Sequence, residues 1–540
     1  MFSKQLKQKY QLKRSYVSFT FLLTYCVLFL VNGCRQDTLL KHTDSPLKPN
    51  IVLIITDDLG WGDVGCYGAT AIQTPNIDRL AAEGLRFSNG YAPSSTCTPT
   101  RYAIMTGQYG WRQPTRKTGI LDGDAPLAIE PGSLTLPGML QQAGYKTALV
   151  GKWHLGLGDG QKAVDFNEKI TPGPLEVGFD QAFFIPATVD RVPCVFIENH
   201  RVANLNPGDP IRISYRGPID DEPTGRDHPE MLKYPADDQH SDVVVNGISR
   251  IGYMTGGQTA RWVDEDITDT LVHKAVTFLK QNRNNPFFLY LGTHDPHVPH
   301  MPHPRFRGKS DCGIRGDSIV QIDWLVGQVM TALDDLGLTD NTLVIFTSDN
   351  GPVLFDGYFD GALEDVDDHQ PAGGLRGWKY LVYEGGTRVP LIVRWPEKID
   401  PGTTDQMFCL VDLVGTCAAI TGQSVPQDKA IDSIDMSDIL LEKTDAQLRT
   451  AVIEHGISDS LSIRQDDWKF IPANAGRETT GIGRGANPKD TRFVESKIYE
   501  DQLFNVAKDP GETRNVIDQY PQKADQLRVL MARIKKRGHR

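Results

Sequence analysis

Four apolar segments, each followed by ionisable residues, set the strongest limit on how this chain can fold. Residues 50–55 form a continuous, β-branched run, which is typical of a strand buried on both faces of a parallel sheet. Further apolar runs lie at residues 147–150, 287–291 and 342–346, and helical patterns lie at residues 75–83 and 136–143. The sequence therefore predicts an α/β protein.

Polar side chains that can carry chemistry come after each predicted strand. They are Asp57 and Asp58, Lys152 and His154, His294, and Asp349 and Asn350. A single acid after a strand is usually a turn former, but four such strand ends are hard to explain in that way. Because open α/β sheets bind ligands at the carboxyl ends of their strands, we predict a functional site there.

Cys97 lies in a segment, residues 94–101, that leads from a loop into a helix with Pro99 in its first turn. Arg101 follows one turn later on the same face, so the helix dipole and a guanidinium both favour an anion near Cys97. From the residues alone, Cys97 is either an inert buried thiol or a thiolate of low pKa. The sequence leaves both interpretations open.

The motifs and their order resemble type I, formylglycine-dependent sulfatases of the alkaline phosphatase-like superfamily, and in particular bacterial polysaccharide sulfatases. The segment Cys97-Thr98-Pro99-Thr100-Arg101 matches the Cys-x-Pro-Ser/Thr-Arg signature of that family. The resemblance runs from residue 50 to residue 515 and includes motifs at residues 56–58, 151–154, 294–297, 348–351, 374–379 and 503–505. Each short motif is weak alone, but together and in this order they are specific.

The resemblance implies an alkaline phosphatase-like fold, which has a large mixed, mostly parallel sheet flanked by helices and a smaller C-terminal α+β domain. It also implies a sulfuric ester hydrolase, related to arylsulfatases, in which a formylglycine-generating enzyme oxidises Cys97 during export. The hydrated aldehyde of residue 97 would then be the nucleophile.

The resemblance also assigns roles to the surrounding cationic and imidazole side chains. Arg101 and Lys152 would stabilise the hydrate. His294 and Lys379 would bind the sulfate, and one of them would assist departure of the alcohol. His154 would remove the second hydroxyl proton and so release sulfate and restore the aldehyde.

A metal site is expected among the same strand ends. Asp57, Asp58, Asp349 and Asn350 offer only oxygen donors, which suit a hard cation, most simply Ca²⁺, with Mg²⁺ as the other option. The resemblance adds an oxygen of the matured residue at Cys97 to this ligand set. The cation would acidify that hydroxyl and hold a sulfate oxygen.

The N-terminus predicts export. Residues 1–14 hold five basic residues and no acid, and an apolar run follows at residues 16–31, so residues 1–33 are interpreted as an export signal. The ending Val31-Asn32-Gly33-Cys34 resembles a bacterial lipobox, with Cys34 acylated; ordinary cleavage or an uncleaved anchor are the alternatives. All three place the folded protein outside the cytoplasm. We expect it in the cell envelope, held to the membrane by the lipid alone, or secreted if it is not acylated.

The rest of the chain divides by composition. Residues 34–48 form a polar tether, residues 49–400 the catalytic domain, and residues 401–540 a smaller domain with short strands and a terminal helix. Within the catalytic domain, residues 178–261 are polar and rich in proline and glycine, as expected of a functional insertion. We expect this insertion to shape the wall around the leaving alcohol. The candidate substrate residues in or near it are Arg191, His200, Arg261, Trp262 and His297.

The expected substrate is a sulfated carbohydrate, either an algal polysaccharide such as ulvan or carrageenan or a glycosaminoglycan. The net charge is −11 and the basic residues are spread without a block, which argues against a nucleic-acid partner. One alternative is a phosphomonoesterase or phosphonate hydrolase of the same superfamily, although these usually carry Ser or Thr as nucleophile. The other is a glycan-binding protein without catalysis.

Overall fold

The computed structural model describes residues 48–113, 119–444, 446–457, 460–479 and 495–539. From Pro49 onward the chain forms one compact unit. The export signal of residues 1–33, the tether up to residue 47 and the acylation site Cys34 lie outside the described residues and stay predictions. Among the helices that are described, none combines the length and the apolar character needed to cross a bilayer.

The described chain contains strands and α-helices of varied length. The strands are β1 Asn50–Thr56, β2 Leu85–Tyr91, β3 Lys146–Lys152, β4 Gln181–Ile185, β5 Ile197–Glu198, β6 Arg201–Val202, β7 Arg212–Ser214, β8 Val244–Val245, β9 Ile248–Ser249, β10 Tyr253–Thr255, β11 Phe287–Gly292, β12 Thr342–Ser348, β13 Leu391–Arg394, β14 Gly402–Cys409, β15 Ala451–His455, β16 Leu461–Gln465, β17 Trp468–Ile471, β18 Arg477–Thr479, β19 Glu495–Lys497 and β20 Gln502–Asn505. The helices are α1 Pro75–Ala82, α2 Cys97–Thr106, α3 Leu136–Gln142, α4 Ile267–Asn282, α5 Gly313–Asp335, α6 Glu384–Thr387, α7 Leu413–Ile420, α8 Ser437–Leu440 and α9 Pro521–Arg537. The predicted strands and helices of the sequence lie within these elements to within a few residues at each end.

The centre of the molecule is a ten-stranded sheet in the order β14-β2-β13-β12-β1-β11-β3-β4-β5-β6. Strands β12, β1, β11, β3 and β4 are parallel, whereas β13 runs antiparallel to both of its neighbours. Every residue of β1, β11 and β12 is buried, as their continuous apolar sequences require. This sheet, with helices packed against it, confirms the predicted fold class.

A smaller antiparallel sheet, in the order β15-β16-β17-β20, follows near the C-terminus, and α9 packs against it. The domain boundary expected at residue 400 differs from the structure, because β14 pairs with β2 in the large sheet. The first residues of β14 are polar and partly exposed at the sheet edge, so no apolar run marks the strand. Strand β4 likewise lies inside the segment 178–261 that was expected to be an insertion.

Register fixes which side chains meet at the edge of the large sheet. Val150, Leu291, Ile54 and Phe346 lie opposite one another on four adjacent strands. Three residues further along, the chain reaches His294 after β11, Asp57 after β1 and Asp349 after β12. The backbone pairing continues to these positions, since Asp57 N–H donates to Asp295 O at 3.1 Å and Asp349 N–H donates to Thr56 O at 3.1 Å. The sheet therefore brings the predicted site residues into one row.

Candidate active site

Oxygen donors gather at the carboxyl ends of β1 and β12, where α2 begins with Cys97. Asp57, Cys97 and Asp349 each present a ligand atom within 4.8 Å of the others, and all three are buried. Asp57 Oδ1 and Asn350 Oδ1 are buried and accept no hydrogen bond within the described part of the chain. Since buried polar atoms almost always have a partner, these two oxygens fit a bound cation. The donor set suits Ca²⁺ or Mg²⁺.

Each of the three carboxylates has its own cation. Lys152 Nζ donates to Asp57 Oδ2 at 2.5 Å, Arg101 Nε donates to Asp349 Oδ2 at 2.8 Å, and Lys379 Nζ donates to Asp58 Oδ2 at 2.8 Å. All six side chains are at most 1% exposed. An unpaired charge at this depth would be very costly, so the pairs keep the site ionised. Removal of the cation from any of these pairs would leave a buried carboxylate without its nearest compensating charge.

Burial and charge together set the proton affinities. Burial and the neighbouring Asp57 raise the pKa of Asp349 to about 6. Burial acts in the same direction on Asp58, but the ammonium of Lys379 outweighs it and holds the pKa of Asp58 well below its usual value. Burial also raises the pKa of the Cys97 thiol to about 11, which favours a neutral thiol over a low-pKa thiolate for the unmodified side chain.

Arg101 connects α2 to two strands of the sheet. Besides Asp349, its Nη1 donates to Lys152 O at 3.0 Å and to Tyr290 Oη at 3.1 Å. The segment just before α2 is held by hydrogen bonds from Ser94 Oγ to His455 O at 2.9 Å and from Ser95 N to His455 O at 2.7 Å. Residue 97 therefore stands at a fixed helix N-terminus. Tyr290 was not among the predicted site residues, because it lies inside an apolar strand.

The predicted histidines lie around this centre. His154 has a left-handed backbone (φ 54°), and its Nε2 is 2.9 Å from Leu121 O. A carbonyl only accepts, so Nε2 carries the proton and the buried Nδ1 is left as a lone pair without a partner in the described residues. Burial and Lys152 hold the pKa of His154 well below its usual value, which keeps the ring neutral. His294 also has a buried Nδ1 without a partner among the described residues.

His297 lies beside the carboxylates as well. Its Nδ1 is 2.7 Å from Val298 O, and its Nε2 is 3.8 Å from Asp58 Oδ2. Burial and the nearby Lys379 lower the pKa of His297 to about 4, so the ring is neutral near pH 7. His297, Asp57 and Asp58 form a second group whose ligand atoms lie within 4.8 Å of one another.

A polar pocket of about 340 Å³ opens beside these residues. His297, Lys379, Asp356 and Tyr380 lie on its lining, and Asp356 accepts from both Lys379 Nζ at 2.9 Å and Tyr380 Oη at 2.6 Å. The rest of the lining includes Ile120, Asp190, Arg191, Asp237, Gln239 and His240. The pocket thus joins the charged centre to the segment 178–261.

Three of these lining residues form a charged cluster. Arg191 Nη1 donates to Asp190 Oδ2 at 2.8 Å, and His240 Nε2 lies 3.5 Å from the same oxygen. Burial opposes protonation of His240, but Asp190 and Asp237 outweigh it and raise its pKa to about 9. Asp190 Oδ1 is buried and has no hydrogen-bond donor among the described residues. The cluster therefore offers an ionised acceptor between two cations.

Other residues expected near the leaving alcohol lie elsewhere. Trp262 is buried in the hydrophobic core, with its ring 5.6 Å from that of Phe196. Arg261 Nε donates to Gly256 O at 3.1 Å, and His200 pairs with Glu176 at 2.9 Å. A tryptophan with nearby Arg and His resembles a sugar-binding patch in sequence, but the Trp262 side chain is used for packing. Only Arg191 and His297 of the five candidates line the pocket.

Besides Tyr290, sequence reasoning missed four residues of the pocket lining: Asp190, His240, Asp356 and Tyr380. Asp190 adjoins Arg191, which was named, and Tyr380 adjoins Lys379, so these two could have been proposed as neighbours. His240 and Asp356 carry no comparable signal. They reach the pocket from loops whose position depends on tertiary packing, such as the contact between the His240 and Tyr358 rings at 5.0 Å.

Comparisons with known proteins agree with this geometry. A family model described as sulfatase matches residues 49–423, and one described as the C-terminal part of N-sulphoglucosamine sulphohydrolase matches residues 374–538. An N-acetylgalactosamine-6-O-sulfatase of Bacteroides thetaiotaomicron is 46% identical over 512 residues, which cover 94% of this chain and 97% of that protein. Human arylsulfatase A is 32% identical over 481 residues, covering 87% of this chain and 83% of its own.

The fold comparison gives the same result. A solved structure from work on the metabolism of multiple glycosaminoglycans by Bacteroides thetaiotaomicron aligns with a TM-score of 0.85 at 46% identity. The alignment covers 91% of this chain and all of that one.

Proposed function

Because this chain belongs to the sulfatase family and is thus a sulfuric ester hydrolase, we propose that it removes 6-O-sulfate from N-acetylgalactosamine units of a glycosaminoglycan. The observation that carries the substrate is 46% identity over 94% of the chain to a protein named for that reaction. This choice favours glycosaminoglycans over the algal polysaccharides that the sequence also allowed.

The pocket supports a sugar as the leaving group. Its lining is rich in charged and hydroxyl-binding groups, among them Asp190, Arg191 and His240. The unpartnered Asp190 Oδ1 can accept from a sugar hydroxyl. The cationic His240 keeps that carboxylate ionised, since its two N–H groups face Asp237 and Asp190. We assign these residues to recognition of the galactosamine ring, and Lys379 and His294 to the sulfate.

The catalytic roles follow from the contacts of each side chain. When residue 97 carries formylglycine, it supplies the hydroxyl nucleophile. Asp57, Asp58, Asp349 and Asn350, together with residue 97, would hold a cation that supplies Lewis-acid polarisation of the bound sulfate. Lys152 and Arg101 fix the carboxylates and add positive charge where the transferring group gains negative charge.

Proton transfers fall to the histidines. His154 is neutral with a bare Nδ1, and Thr98 of α2 donates its hydroxyl to His154 O at 3.2 Å, so the imidazole is tied to the helix that starts at Cys97. We assign it the removal of the second hydroxyl proton at residue 97. Lys379, whose pKa is held well above its usual value by Asp356 and Asp58 despite burial, stays charged and binds sulfate oxygens. His294 is then the better candidate to protonate the leaving alcohol.

The decisive experiment uses enzyme purified after coexpression with a formylglycine-generating enzyme, with peptide mass spectrometry of residue 97 as the maturation check. We expect sulfate release from N-acetylgalactosamine 6-sulfate and from 6-sulfated chondroitin oligosaccharides, and none from 4-sulfated ones. Cys97→Ala should be inactive while keeping the wild-type unfolding profile. Faster turnover of nitrophenyl phosphate than of nitrophenyl sulfate, or full activity in Cys97→Ala, would overturn the assignment.

A further inference from the structure

Unpaired positive charge is concentrated at the end of α9, in a chain whose net charge is −11. We expected no basic block from the sequence, but Arg533, Lys535, Lys536 and Arg537 fall within five residues and are exposed. Throughout the described ranges, no carboxylate lies within salt-bridge distance of any of the four. Cations in a last helical turn interact favourably with the helix dipole, which explains one or two of them but not such a run.

Cations from other elements join this run in two concave surfaces. A pocket of about 420 Å³ is lined by Lys535 together with Arg477 and Lys497, which come from β18 and β19. A second pocket of about 320 Å³ is lined by Arg533 and Arg537. Concave surfaces lined by one sign of charge focus the electrostatic field and raise the local concentration of the opposite charge. Arg533 and Arg537 lie four residues apart on one side of α9 and Lys535 lies on the other, so the two pockets flank the end of the helix. We call these six residues, Arg477, Lys497, Arg533, Lys535, Lys536 and Arg537, the basic surface.

The basic surface and the active-site pocket meet along one segment of chain. Ser460 lines the pocket with Lys535 and Lys497, and its carbonyl accepts from Gly456 N–H at 2.8 Å. Next to Gly456, Ile457 N–H donates to Tyr380 O at 2.8 Å, and Tyr380 lines the active-site pocket. A short hydrogen-bonded segment, residues 456–460, therefore links the backbone of one lining to that of the other.

We propose that the basic surface binds the anionic chain of a glycosaminoglycan outside the active-site pocket and so holds polymeric substrate on the enzyme. This inference rests on the proposed function, because a glycosaminoglycan repeats carboxylate and sulfate groups along its length. Arg pairs with sulfate and carboxylate through a planar fork of donors, and Lys adds point charges. A single sugar in the active-site pocket is too short to use these contacts, whereas a chain can use both sites at once.

The test compares a triple variant, Lys535→Gln, Lys536→Gln and Arg537→Gln, with a control that removes the same charge elsewhere, Lys162→Gln, Lys280→Gln and Arg283→Gln. On 6-sulfated chondroitin chains at low salt, we expect the KM of the triple variant to rise about fivefold, equal to about 1 kcal/mol, and the control to stay within about twofold. The kcat/KM on the 6-sulfated monosaccharide should not change in either. High salt should remove the difference, since exposed charges are screened.

A binding experiment separates this inference from the proposed reaction. The Cys97→Ala protein and its triple variant are passed over immobilised chondroitin sulfate, and separately over phosphatidylglycerol vesicles. Salt-sensitive glycan binding that the triple variant loses supports the basic surface even if the enzyme prefers another sulfated sugar. Equal glycan binding by both proteins, or loss of vesicle binding alone, overturns it.

Discussion

Each reactive group in the centre depends on one neighbour. Asp57, Asp58 and Asp349 are each neutralised by a separate cation, and two further oxygens have no donor among the described residues. In such an arrangement a substitution of similar size can still disrupt function, because it leaves an opposite charge buried and unpaired. In the pocket, the buried Asp190 carboxylate likewise depends on neighbouring cations, here Arg191 and His240.

Asp190→Asn tests substrate recognition at one atom. The amide keeps the volume but removes the charge that holds Arg191 and His240, and its NH₂ group cannot accept from a sugar hydroxyl. We expect kcat/KM on 6-sulfated N-acetylgalactosamine to fall about 10- to 100-fold, as for a lost hydrogen bond to a charged group of about 1.5–3 kcal/mol. Activity on nitrophenyl sulfate should change much less. Equal losses on both substrates would mean that Asp190 serves only to maintain the structure.

The predicted residues that the structure brings together share a local signal. Asp57, Asp349 and Lys152 follow buried strands, and Arg101 follows Cys97 by one helical turn, so their meeting could be inferred from sequence periodicity and topology. Trp262 was proposed to contact substrate but is buried in the core, because tryptophan is common both in sugar-binding surfaces and in hydrophobic cores. His240 and Asp356 lie in irregular segments, where a sequence does not determine which loops come together.

The C-terminal sheet meets the catalytic centre through a buried cluster of charges. Lys469 of β17 pairs with Glu454 of β15 and lies 3.1 Å from Glu384 Oε1 and 3.6 Å from Glu512 Oε1. Glu384 begins α6, which follows the loop that carries Lys379. Burial raises the pKa of Glu454 to about 8 and that of Glu512 to about 7. The cluster therefore retains a proton near neutral pH.

This retained proton makes stability depend on pH. The folded state keeps a proton on Glu454 up to about pH 8, whereas the unfolded state loses it near pH 4.5, so the free energy of unfolding falls as pH rises between these values. Glu454→Gln removes that titration. Between pH 6 and pH 9 we expect the melting temperature of this variant to fall less than that of the wild type. The corresponding changes in the free energy of unfolding should differ by roughly 1 kcal/mol or more.

The exposed Asp466→Asn on the adjoining turn is the matched control and should keep the wild-type slope. Parallel melting curves for Glu454→Gln and wild type across the pH range would show that Glu454 is ionised in the folded protein.

At the scale of the whole molecule, one bound cation would bind side chains from three elements that are far apart in sequence. Its expected ligands come from β1, α2 and β12, which are nearly 300 residues apart at the extremes yet adjacent in the sheet. A ligand that binds only the folded state stabilises it by mass action, by about 2.7 kcal/mol at 100 times its Kd. The cation should therefore influence global unfolding as well as catalysis.

Calcium added back to chelator-treated protein should raise the melting temperature, and Mg²⁺ should do so less if the site has the larger, flexible coordination that Ca²⁺ prefers. Asn350→Ala removes the unpartnered Oδ1 without a change of charge, so most of the Ca²⁺-dependent rise should disappear. Asn285→Ala, on an exposed turn, should retain it in full. Calorimetry with unmatured Cys97 protein makes the measurement independent of turnover. Identical melting curves with and without either ion would contradict a cation at these strand ends. Lys152, Lys379 and Arg101 would then be sufficient to stabilise the buried oxygens of the four residues without a metal ion.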